Sequence, residues 1–103
     1  MLKSSITTRI MKNQVALGAA SVTPGEILAE EFLEPMGLSH RELARRMGVA
    51  PMRVNEIIRG KRAITADTAL RLARVLGTTP RFWMNLQANH DLALAALAQR
   101  RAA

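Results

Sequence analysis

Apolar residues recur at helical spacing along most of the chain, and polar caps, prolines and glycines cut that pattern into five lengths. Thr23, Pro24, Gly25 and Glu26 make a capping box with proline at the first helical position, followed by an apolar stripe of Ile27, Leu28, Phe32 and Leu33. This predicts a helix over about 24–36, closed by Pro35 and Gly37. Ser39 and Glu42 form a second box, so a helix starts at His40, buries Leu43, Ala44 and Met47 and stops at Gly48. A third helix runs from Pro51 to about Arg59, behind an Ala50 cap that offers no side-chain acceptor, and ends at Gly60. Thr65 caps a fourth, whose Ala66, Ala69, Leu70, Leu72, Ala73 and Leu76 are expected in the core, and Gly77 stops it. Thr79 and Pro80 open a long last helix in which Phe82 and Trp83 plug the core, with Arg100 and Arg101 at its dipole-favoured end. The fold class is all-α with five helices. Residues 1–22 show no sustained period and are expected to be a flexible N-terminal arm before a domain over 23–103.

The second and third of these helices carry a further pattern. In residues 40–59, HRELARRMGVAPMRVNEIIR, the residues Leu43, Ala44, Met47, Gly48, Val49, Val54 and Ile57 each fit a helix-turn-helix. Ala44 is small where one helix crosses close over the other. Gly48 supplies the left-handed backbone that turns the chain. Leu43, Met47, Val54 and Ile57 fill the wedge between the helices.

Composition narrows the function. The chain has 103 residues, 49% of them apolar, enough for one core and one domain. It has no cysteine, which removes disulfides and thiolate metal sites and suits a cytoplasmic location. No apolar run is long enough to span a membrane, and VALGAASV near the start is too short for a secretion signal or transit peptide. Met11 is a second candidate start. The net charge of +7 is uneven: residues 1–22 carry +3, 23–38 carry −4 and 39–62 carry +5. Positive charge therefore peaks on the helix-turn-helix, as a phosphate footprint would. Double-stranded DNA is the partner this implies.

In that geometry the helix from Pro51 lies in the major groove, and Pro51, Met52, Arg53, Asn55 and Glu56 are the candidate base readers. Arg53 can fork onto guanine, Asn55 can meet adenine or a phosphate, and Met52 or Pro51 can pack on a thymine methyl. Glu56 either accepts from cytosine, orients Arg53, or forms an ion pair within its helix. Ser39 and His40 at the positive end of their helix, with Arg45, Arg59, Lys61 and Arg62, are the candidate phosphate contacts. His40 and His90 are too far apart in sequence to propose a metal site, and no nucleophile–base pair or phosphate loop suggests catalysis or a cofactor. One such motif contacts few base pairs, so a homodimer on a palindrome is expected, with Leu92, Leu94 and Leu97 as its interface.

TPGEILAEEFLEPMGLSHRELARRMGV, then GKRAITADTALRLARVLGTTPRFWMNLQANHDL, resembles the HigA family of bacterial antitoxins, in the lambda-repressor-like group of helix-turn-helix proteins. The likeness covers about residues 23–92. It implies an antitoxin that represses its own operon and neutralises a HigB-type toxin, a small basic mRNA endonuclease. Thr23 and His90 stand where the family commonly has His and Tyr, and the arm before Thr23 is long. That arm, or the acidic Glu26, Glu30, Glu31 and Glu34 of the first helix, would meet such a toxin. Two other readings stand beside it: a stand-alone transcriptional repressor without a toxin, and a toxin-neutralising module whose basic cluster is idle.

Overall fold

The computed structural model describes residues 22–102, and among these there are five helices. The arm expected over 1–22 lies outside the described residues except for Val22, which packs on the core. Helix α1 covers residues 24–36, α2 His40–Met47, α3 Pro51–Ile58, α4 Ala66–Leu76 and α5 Pro80–Ala102. Among the described residues there is no strand, and no helix is long and apolar enough to cross a membrane.

Helix α1 begins with the expected box: Thr23 Oγ1 accepts from the Glu26 amide at 3.1 Å, and the Glu26 carboxylate reaches back to the Thr23 amide at 3.3 Å. Its middle departs from the expectation, because Leu28–Leu33 is π-helical before the α geometry resumes over Glu34–Met36. Pro35 explains the widening. In an α-helix its ring would collide with the carbonyl four residues back and leave a carbonyl without a donor, and an i→i−5 turn relieves both. The Glu34 amide accordingly donates to Ala29 O. Proline therefore loosens this helix without ending it, and Gly37 (φ 63°) ends it.

Helices α2 and α3 pack on each other, α4 packs on both α2 and the first part of α5, and the opening turn of α1 rests on α3 and α5. The core is Ile27, Leu28, Leu33, Leu43, Ala44, Met47, Val54, Ile57, Ile64, Ala69, Leu72, Trp83 and Leu86. Trp83 is fully enclosed, with ring centroids 5.2 Å from Phe32 and 5.0 Å from Phe82, and its indole N–H donates to Thr78 Oγ1 at 2.7 Å. Gln87 is the buried polar group that closes the α3–α4 loop, accepting from the Ile64 amide at 2.7 Å.

Three expectations need correcting. Leu70 is 59% exposed and Ala66 is also exposed. The buried face of α4 is set by Ala69, Leu72 and Ala73, and position 70 falls a full 100° past 69. Glu31 does not share the exposure of the other three acids: it stands four residues after buried Ile27 and three after buried Leu28, on the inner face of α1, and is buried, while Glu26, Glu30 and Glu34 stay exposed. The second capping box is half formed. Ser39 Oγ accepts from the Glu42 amide at 3.0 Å, but the Glu42 carboxylate has turned to Arg45 and Arg46.

Candidate nucleic-acid interface

The turn between α2 and α3 takes the shape the residue types require. Gly48 has φ 76° and caps α2, its amide bonding to Ala44 O and Arg45 O. Leu43, Ala44, Met47, Val54 and Ile57 are all buried between the helices. This fixes the inner face of α3, and the outer face follows from the helical period: Pro51, Met52 and Asn55 are exposed, Met52 at 67%.

Several of the expected readers and phosphate contacts are already engaged, with one another or with neighbouring residues. His40 Nδ1 and Asn55 Oδ1 are 2.8 Å apart, joining the start of α2 to the middle of α3. Because the Asn55 oxygen is taken up there, its amide N–H groups are left for an outside acceptor. Arg53 does not meet Glu56. Its guanidinium lies 3.2 Å from Asp67 on α4. Glu56 instead pairs with Arg62 at 2.8 Å, since Gly60 (φ 75°) folds the chain back and the Lys61 and Arg62 amides both donate to Glu56 O. Neither an intrahelical pair nor a contact to Arg53 forms. Arg59 and Lys61 are exposed and make no ion pair among the described residues.

Arg45 forks onto Glu42, with Nε 3.0 Å from one carboxylate oxygen and Nη2 2.5 Å from the other, and Arg46 Nε adds a contact at 2.9 Å. The Arg45 hydrogen bonds first, then Arg46, draw the Glu42 carboxyl from 4.5 down to about 2. A carboxyl lowered in the folded state adds stability at pH above its unfolded value, and loses that contribution as pH falls through the folded value. Glu42 is therefore expected to titrate near pH 2 by carboxyl NMR. Glu42→Gln should flatten the acid sensitivity of folding between pH 4.5 and 2. A Glu42 midpoint at an ordinary glutamate value would contradict this.

Two residues that bear on the site were not anticipated: Asp67 and Arg71. Arg71 Nε donates to Asp67 at 3.0 Å, and its Nη1 donates to Met47 O, at the C-terminal end of α2, at 2.8 Å. The i,i+4 spacing of Asp67 and Arg71 was visible as a helix-surface pair. Their contacts to α3 and α2 join residues 14 and 24 apart in the chain and leave no local signature. Among the described residues no three His, Asp or Glu side chains come together as a metal site.

The core and turn just described recur in known proteins. A family model described as Helix-turn-helix matches residues 30–83. Virulence-associated protein I of Dichelobacter nodosus is 53% identical over 75 residues, covering 73% of this chain and 69% of that protein. Antitoxin HigA-1 of Vibrio cholerae serotype O1 is 48% identical over 71 residues, covering 69% of this chain and 67% of that protein. Among solved structures, the Pseudomonas aeruginosa antitoxin HigA with the higBA promoter superimposes with a TM-score of 0.75 at 44% identity, over 79% of this chain and 88% of that one. With a matching turn, core and sequence over most of its length, this chain belongs to the HigA family of helix-turn-helix proteins.

Proposed function

We propose that the chain is the antitoxin of a toxin–antitoxin pair, which binds operator DNA as a dimer through α3, represses its own operon and neutralises a HigB-type mRNA endonuclease. The observation that carries the DNA half is the outer face of α3: among the described residues Pro51, Met52 and Asn55 are left exposed, and exposed Arg59 and Lys61 follow the end of the same helix. The Pseudomonas aeruginosa relative was solved with promoter DNA, which favours the same use of this face here. Ser39, His40, Arg45 and Arg62 complete the cationic and amide rim. Dimer formation is supported by α5, in which no residue beyond Gln87 is buried although Leu92, Leu94 and Leu97 follow; Leu92 is 68% exposed. A second copy seated there would place two α3 helices on one duplex. The toxin half rests on the resemblance to a named antitoxin, with exposed Glu26, Glu30 and Glu34 of α1 suited to a basic partner.

Base contacts and phosphate contacts respond differently to mutation. Arg53→Ala should relax preference at one base pair. Lys61→Ala should weaken all duplexes alike and reduce the slope of log K against log salt by about 0.9, as loss of one phosphate contact does. Salt titrations of both variants on a preferred and a scrambled duplex check this division, and identical behaviour would refute it. Co-purification with the product of the adjacent reading frame tests the toxin half. A lone repressor would bind DNA and retain no such partner.

A further inference from the structure

We propose that Asp67 of α4 is a specificity-determining positioning residue, which holds the Arg53 guanidinium in one pose at the first turn of α3 and thereby penalises binding to duplex of the wrong sequence. This rests on the reading of α3 as the DNA-reading helix. One oxygen of Asp67, Oδ2, takes both Arg53 Nη1 at 3.2 Å and Arg71 Nε at 3.0 Å. Arg71 is itself pinned to the Met47 carbonyl at 2.8 Å, and Gly48 packs against the same guanidinium, where a Cβ would lie 3.3 Å from Nη1. The carboxylate is thus the end of a braced chain running from the C-terminus of α2 through α4 to the start of α3. Its carboxyl is held below the ordinary aspartate value, chiefly by Arg71, so the brace stays charged at neutral pH.

Two consequences follow from guanidinium chemistry. Only Nη1 of Arg53 is used by Asp67, which leaves the Nε and Nη2 edge for a forked contact with guanine O6 and N7. A braced arginine loses less side-chain freedom on making that contact than a loose one does. The second consequence is repulsive. On a wrong base pair Arg53 has no forked partner, and to reach a phosphate instead it must leave an exposed carboxylate facing the DNA backbone. Asp67 therefore lowers affinity for every duplex, and a guanine at the right place offsets that loss.

The test uses the full chain with two probes: a duplex that the wild-type protein selects from a random pool, and a scrambled duplex of the same composition. Asp67→Asn keeps the side-chain size and an acceptor for Arg71, so the fold is retained. It is expected to bind the scrambled duplex about fivefold to tenfold tighter, with a salt slope steeper by about 0.9 as the freed Arg53 finds a phosphate. The ratio of selected to scrambled affinity should fall about tenfold. In an Arg53→Ala background the same substitution should leave that ratio within about twofold, since the pair acts as a unit. Asp67→Asn weakening both duplexes in parallel, leaving the ratio unchanged, or acting identically without Arg53 would each overturn the inference. If the wild-type protein selects no duplex, the DNA reading itself fails, and this inference with it.

Discussion

Gly25→Ala is expected to destabilise the domain sharply, although by local rules it should help. Alanine is favoured over glycine inside a helix by about 1 kcal/mol, and Gly25 has no positive φ to protect. The surroundings reverse the sign. A Cβ at this position would lie 2.1 Å from the Ile57 carbonyl oxygen and 2.7 Å from Ile58 Cα. Both are backbone atoms of the last turn of α3, which cannot swing aside as a side-chain tip could. Relief requires α1 and α3 to separate, at an overpacking cost of about 2–3 kcal/mol beyond the propensity gain. Converted for a domain this small, Tm should fall by roughly 10–20 °C. Because the displaced turn belongs to α3, DNA affinity should also drop at temperatures where the variant stays folded. A thermal melt matching wild type would show that the close approach has no energetic weight.

Trp83→Ala is expected to cost more. The indole is fully enclosed, touches Phe32 and Phe82, and satisfies its N–H on Thr78. Truncation removes the largest side chain of the core and leaves a cavity that helices α1 and α5 can only partly close, for about 3–5 kcal/mol. Native domains hold only about 5–15 kcal/mol in all, so the variant should be substantially unfolded near 37 °C. Trp83→Phe retains an aromatic face toward Phe32 and should lose about 1–2 kcal/mol, through a smaller void and the missing hydrogen bond to Thr78. Urea unfolding of the two variants separates packing from hydrogen bonding. Equal losses in both would place the energy in the indole N–H, contrary to this account.

What could be read from the chain alone depended on how local the cause was. Caps and stops are local, and Thr23, Ser39, Thr65, Gly48 and Gly77 act where their residue types place them. The helix-turn-helix wedge is nearly local, since its spacing is set by one turn. Pro35 was legible as a disturbance, but whether it ends a helix or widens it depends on Phe32 and Leu33 being held in place by α5 and the core. The apolarity of Leu70 points inward, whereas its angular position on α4 puts it out. For the candidate site, the residues on the outer face of α3 followed from period alone. Their partners did not: Arg53 with Asp67, Asn55 with His40, and Arg71 with Met47 O are meetings between separate helices. Gly25 likewise looked like an ordinary first-turn residue until α3 was laid across it.

The proposed mode of binding puts the outer face of α3 in the major groove in two copies on one duplex. The chain contains no cysteine, so Met52→Cys puts a single thiol on that face, where an iron chelate can be tethered to cut nearby DNA. Two clusters of cuts are expected in successive major grooves, centred about 10 base pairs apart, on a duplex selected by the wild-type protein. Even cutting along the duplex, or none above that of the free chelate, would contradict it.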